Sequence, residues 1–127
     1  DLNMDTVQSL TRNGPHAIFG DATRREILDQ AGVKRAAHLV VTLPHSANRA
    51  PVVMAARELN PRIEITVRAR YQQERETLAQ AGAGKTIFEE GEAGIALARH
   101  VMQRRGLDAT TIDRMLTAIH RLWRMDG

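Results

Sequence analysis

A chain of 127 residues with 43% apolar and 26% charged side chains holds material for one compact domain and not two. It contains no cysteine, which excludes a disulfide framework, a thiolate metal site and a cysteine nucleophile, and no apolar run reaches the roughly 18–20 residues of a membrane span. Residues 1–98 carry twelve basic and twelve acidic side chains, so the net charge of +3 arises in residues 99–127; that balance, with four aromatic residues in all, argues against nucleic acid as a partner.

In chain order, residues 4–12 predict a helix with Val7 and Leu10 on one face, and the apolar run 16–19 predicts a strand ending at Gly20-Asp21. Thr23 with Glu26 three residues on has the form of a capping box, for a helix running to about Ala31 and closed by Gly32. Residues 38–42 are rich in valine, bounded by Pro44, and read as a second strand. Residues 46–59 carry Val52, Val53, Ala55, Ala56 and Leu59 at helical spacing and stop at Asn60-Pro61. A third strand is expected at 63–68, a helix at 72–81 ending at Gly82, and a fourth strand at 85–88. Residues 90–105 predict a helix with Ile95, Ala98, Val101 and Met102, stopped by Gly106. Finally Ile112, Met115, Leu116, Ile119, Leu122 and Trp123 fall on one face of an amphipathic helix, which packs on the domain or on a partner.

Strand–helix–strand units at this spacing predict an α/β fold with a parallel sheet flanked by helices. Ligands in such sheets sit beyond the carboxyl ends of the strands. The positions to inspect are therefore Gly20-Asp21-Ala22-Thr23, Thr42-Leu43-Pro44-His45, Arg68-Ala69-Arg70 and Glu89-Glu90. By their chemistry alone, residues 20–23 read as a turn and helix cap, and Arg68 as a surface ion-pair residue. Glu89, Glu90 and Glu92 read as acids favoured at a helix N-terminus, with a cation shared across a dimer as the sharper alternative. The five histidines, at 16, 38, 45, 100 and 120, lack metal-ligand spacing, so no metal is expected. Neither Ser9 nor Ser46 lies in a nucleophile elbow, and no catalytic residue is expected.

The ordered series Gly20-Asp21-Ala22-Thr23, Ile27-Leu28, Ala31-Gly32-Val33, Ala36-Ala37-His38-Leu39-Val40-Val41-Thr42, Asn48, Ala56-Arg57-Glu58-Leu59-Asn60-Pro61, Arg68-Ala69-Arg70 and Ala81-Gly82-Ala83 resembles a known family. It is similar to the nucleotide-binding regulatory domain of potassium-transport proteins, the regulator of potassium conductance. The closest form is that in the cytoplasmic tail of proton-coupled potassium antiporters, including the glutathione-regulated efflux type. The resemblance covers about residues 1–105 and leaves 106–127 as an appended amphipathic helix.

That resemblance implies a non-enzymatic, Rossmann-like domain that binds an adenine nucleotide, NAD(H) or AMP. Its nucleotide state would move an attached membrane pore from the cytoplasmic side of the inner membrane. By the same resemblance Asp1 is the acid that takes the ribose hydroxyls, and Gly20, Asp21, Ala22 and Thr23 approach the adenine and ribose. Thr42 borders the nucleotide, and Arg68 faces its phosphates or a neighbouring acid. A first strand and a Gly-rich phosphate loop are implied ahead of Asp1; no G-x-G-x-x-G lies within the chain. Without them the four strands either close ranks in the family order 3-4-5-6 or borrow strands from a second copy, which predicts a tight homodimer. Two departures stand out: Pro44-His45-Ser46 where an acid is common, and Lys85 after the Ala-Gly-Ala turn. Two other readings stay open, a truncated Rossmann oxidoreductase and a ligand-free module that dimerises through the 112–123 stripe.

Overall fold

Short runs of Val, Ile and Thr bounded by turn residues become strands here, and each is followed by a helix long enough to return the chain to the same edge direction. A computed structural model describes residues 1–12, 17–44 and 46–125. In chain order these form α1 (Met4–Arg12), α2 (Arg25–Gln30), a 3-10 turn (Val33–Arg35), β1 (His38–Val41), α3 (Ser46–Leu59), β2 (Glu64–Ala69), α4 (Glu74–Ala81), β3 (Lys85–Phe88), α5 (Glu89–Arg104) and α6 (Ala109–Leu122). The three strands pair in parallel in the order β1-β2-β3. His38 lies opposite Glu64 and Val41 opposite Val67, while Thr66 faces Lys85 and Ala69 faces Phe88. This is the Rossmann-like α/β arrangement expected from the sequence.

Alternation along β2 sends Ile65, Val67 and Ala69 to one face, where they meet Val52, Val53 and Ala56 of α3 and Leu78 of α4. Leu28, Val33 and Val41 complete that core. Each fully buried aliphatic side chain contributes about 1.5–3 kcal/mol by leaving water. A second core joins α5 to α6: Ile95, Ile112, Leu116 and Met125, with Phe88, Ala98, Met102 and Ile119 packed around them. The last apolar stripe therefore divides. Ile112, Leu116 and Ile119 turn inward onto α5, while Met115, Leu122 and Trp123 stay exposed.

The expected strand at 16–19 does not join the sheet. His16 lies outside the described residues, and residues 17–19 are irregular. The amino group of Asp1 donates to the Ile18 carbonyl at 2.9 Å, and the Gly20 amide donates to the Asp1 carbonyl at 2.7 Å. These are the two bonds of a parallel pairing, but one residue of pairing is too short to make a ladder. Nor does this segment lie against β1, so the expected closing of ranks in the order 3-4-5-6 is not what forms. Among the described residues the outer edge of β1 carries no strand.

The expected Thr23–Glu26 capping box is also replaced. The helix starts at Arg25, Arg24 makes no side-chain cap bond, and Asp21 organises the turn instead. At α6 a side-chain cap does form: Asp108 accepts from the Thr111 amide at 3.4 Å and from the Thr111 hydroxyl at 2.5 Å. The Thr111 hydroxyl bond is the main cause of an Asp108 pKa below the ordinary 3.8. A carboxylate whose pKa falls on folding adds stability above its unfolded value, and loses it as pH drops through its lower folded value. Asp108→Ala is therefore expected to lower the melting temperature at pH 7, and the gap from wild type to close as pH falls below 3.8, as thermal unfolding across pH would show.

Candidate functional site

The carboxyl ends of the three strands lead into Thr42-Leu43-Pro44, Arg70-Tyr71-Gln72-Gln73 and Glu89. Arg68 is the penultimate residue of the middle strand, on the face opposite Val67 and Ala69. Its Nη1 donates to the Thr42 carbonyl at 3.2 Å, and its Nε lies 2.5 Å from the Glu89 carboxylate. One guanidinium thus ties the ends of both outer strands to the centre of the sheet. The side chain is 41% exposed, so a ligand reaching the strand ends meets it.

Glu90 lies 3.9 Å from Arg70, and Glu92 lies 3.5 Å from the His120 ring. Each acid in the first turn of α5 therefore faces a basic group. The helix dipole favours carboxylates there, and these partners add to it. Exposed pairs of this kind contribute little, about 0–1 kcal/mol each.

A second group gathers at the start of the chain. Asp1 holds Gly20 through the backbone bond described above, and its carboxylate accepts from the Asn3 amide at 2.7 Å. Asp21 accepts from the Thr23 hydroxyl at 2.7 Å and the Thr23 amide at 2.9 Å. The hydroxyl bond foremost, then the amide, holds the Asp21 pKa below its ordinary value. Ala22 packs on the main core, and a side chain at Gly20 would run into Ile27. The structure therefore brings Asp1 together with Gly20-Asp21-Ala22-Thr23, and Thr42 together with Arg68. No hydrogen bond among the described residues joins the two groups. His45, expected beside Thr42, lies outside the described residues.

Sequence reasoning missed the most buried polar residue of the site. Arg49 is 0% exposed. Its Nε donates to the Leu43 carbonyl at 2.8 Å, its Nη2 to the Pro44 carbonyl at 3.2 Å, and its Nη1 to Glu74 Oε2 at 2.6 Å. The other Glu74 oxygen accepts from the Tyr71 amide at 3.1 Å. The signal was present: 49, 52, 53 and 56 follow i, i+3, i+4, i+7, so an arginine occupies the apolar stripe of α3. Also unforeseen, the Trp123 carbonyl at the end of α6 accepts from Gln72 Nε2 at 2.7 Å and Arg75 Nη1 at 3.2 Å.

Comparison with known proteins agrees with this architecture. Residues 1–89 match the TrkA-N domain family model. The chain is 34% identical over 86 residues to the putative cation/proton antiporter YbaL of Escherichia coli, covering 68% of this chain and 15% of that protein. It is 34% identical over 90 residues to the probable potassium channel protein 2 of Methanocaldococcus jannaschii, covering 68% of this chain and 26% of that one. The chain thus spans about a quarter or less of these relatives. Among solved structures, the TrkA-N domain of the E. coli inner membrane protein ybaL superposes with a TM-score of 0.72 at 30% identity, over 75% of this chain and 70% of that one. Two more distant structures share the fold: the AMP-bound Kef C-terminal domain of Shewanella denitrificans and the NAD-bound GsuK channel. Their TM-scores are 0.71 and 0.69, at 21% and 20% identity, covering 86% and 77% of this chain, and 74% and 18% of theirs.

Proposed function

The chain belongs to the TrkA-N domain family, and from that membership we propose that it is a non-enzymatic regulatory domain sensing an adenine nucleotide, NAD(H) or AMP, for a potassium transporter or potassium/proton antiporter. Similarity to YbaL and to a probable potassium channel supports the transport setting. The AMP and NAD in the two distant structures support the ligand class. In this reading residues 1–105 form the sensing unit and 106–127 an appended helix. The domain works at the cytoplasmic face of the inner membrane beside a membrane transport domain. None of its described helices is long and apolar enough to cross a membrane.

The observation that carries the reading is Arg68 shared between the Thr42 carbonyl and the Glu89 carboxylate. The residues present fit the group: an exposed aspartate at position 1 suits a ribose diol, and the partly exposed arginine side chain at position 68 suits a phosphate. Gly20, Asp21, Ala22 and Thr23 would line the adenosine side, with Thr42 at the border. A phosphate arriving at Arg68 competes with Glu89, the first residue of α5, and so loosens the helical pair α5–α6 from the sheet. The ligand shifts that balance only by the difference between its affinities for the two states.

Calorimetric titration of the full-length protein with NADH, NAD and AMP is expected to show binding of at least one. Arg68→Gln should weaken it about 10- to 100-fold, the loss of a charge-assisted bond to phosphate. If none of the three binds, the reading fails. The same reading carries a homodimer. Leu97 and Val101, 71% and 58% exposed, lie four residues apart on the outer face of α5. This moves the expected surface away from Leu116 and Ile119, which face inward. Light scattering should show Leu97→Asp/Val101→Asp at half the wild-type mass, and an unchanged dimeric mass would refute that surface.

A further inference from the structure

Arg49 reaches the strand-end site from behind. The loop after β1 is held on its exposed side by Arg68, which takes the Thr42 carbonyl, and on its core side by Arg49, which takes the next two carbonyls, Leu43 and Pro44. Through Glu74 the same guanidinium reaches the loop after β2, whose Tyr71 amide is bound by the second carboxylate oxygen. Arg49 is fully buried and Glu74 is 13% exposed. An ion pair in that setting gives no stability advantage over apolar side chains of similar volume. An apolar residue at 49 would continue the stripe of Val52, Val53 and Ala56. What an apolar residue could not do is fix two loops against each other by directed hydrogen bonds.

We propose that Arg49, with Glu74, is a positioning residue of the nucleotide site: it locks the loops after β1 and β2 into one rigid platform, so that the Thr42 backbone and Arg68 are held in register for the ligand. The proposal rests on the nucleotide-sensing reading for its ligand, but not for the platform itself. Arg49 touches no ligand in this scheme; it acts through Thr42 and Arg68.

The test separates positioning from plain stabilisation. Arg49→Met alone leaves Glu74 buried without its partner, so it is compared with Arg49→Met/Glu74→Met, in which both charges go. Thermal unfolding of the double variant is expected to return close to wild type, while its affinity for AMP stays at least tenfold weaker. Amide hydrogen exchange at Thr42, Leu43 and Tyr71 is expected to speed up together in the double variant without any ligand. Arg49→Lys, which keeps the charge but not the three-way fork, should recover only part of the affinity. A double variant that binds AMP as wild type does, or that keeps wild-type exchange in both loops, overturns the proposal. If wild type binds none of AMP, NADH or NAD, the sensing reading falls, and the exchange data alone decide whether the platform exists.

Discussion

Arg49→Met is expected to lower the unfolding free energy by about 3–5 kcal/mol, the largest loss among single substitutions at the strand ends. The fully buried guanidinium satisfies two loop carbonyls and a carboxylate that is itself only 13% exposed. Methionine fills a similar volume but donates nothing, so the carbonyls of Leu43 and Pro44 lose their donor and Glu74 is left as a charge with little solvent. The penalty comes mainly from that stranded carboxylate rather than from a missing attraction. Adding Glu74→Met removes it and is expected to recover most of the loss. Denaturant unfolding of the two single variants and the double variant gives the coupling as a cycle. Additive losses would mean that the pair does not act as a unit.

The second large effect is expected at Gly91, in the first turn of α5. A β-carbon there would lie 2.5 Å from the Phe88 ring and 2.7 Å from the Met125 sulfur. Met125 is the buried end of the turn that follows α6 and belongs to the second core. Gly91→Val is expected to destabilise by about 2–3 kcal/mol through overpacking and to expel Met125 from its seat. At an open helix position, replacing glycine by alanine stabilises by about 0.5–1 kcal/mol. A loss at Gly91→Ala would therefore report close packing rather than helix propensity. Trp123, the one tryptophan of the chain, sits two residues from Met125, and its carbonyl is held by Gln72 and Arg75. Its fluorescence should shift in Gly91→Val before global unfolding. An unshifted spectrum with unchanged stability would mean that Met125 moves aside freely.

The strand at 38–42 and the helix 46–59 were legible because each is bounded by a residue that physically stops it, Pro44 or Asn60-Pro61; the other two strands and the helix 4–12 were legible from the spacing of their apolar residues. The resemblance to potassium-transport regulatory domains was legible too, and the TrkA-N match bears it out. The strand at 16–19 was misread because an apolar run reports burial and says nothing of whether a neighbour is available to pair with. The Thr23 cap was misread because Asp21, two residues earlier, takes both the Thr23 hydroxyl and the Thr23 amide that Glu26 would have bound in a capping box. At the strand ends topology placed Thr42 and Arg68 among the positions to inspect, and an acid beside Arg68 was expected and is Glu89; the bond from Arg68 to the Thr42 carbonyl was not foreseen. Arg49 was hidden for a different reason: a charged residue in an apolar stripe looks like an exposed flank until its three acceptors, six or fewer residues upstream and 25 downstream, are folded around it.

The two cores divide the chain cleanly, the first drawing its buried residues from 28 to 78 and the second from 95 to 125. Segments contiguous in sequence with their own buried cluster tend to open as separate cooperative units, at free energies below that of global unfolding. The α5–α6 pair has both features, and it is joined to the rest by β3, the Arg68–Glu89 and Arg70–Glu90 pairs and the bonds to Trp123. A regulatory signal arriving at Arg68 would not have to deform the sheet. It need only change how often a semi-independent hairpin comes away from it, a population lever whose energy scale is set by a few contacts and not by the whole domain.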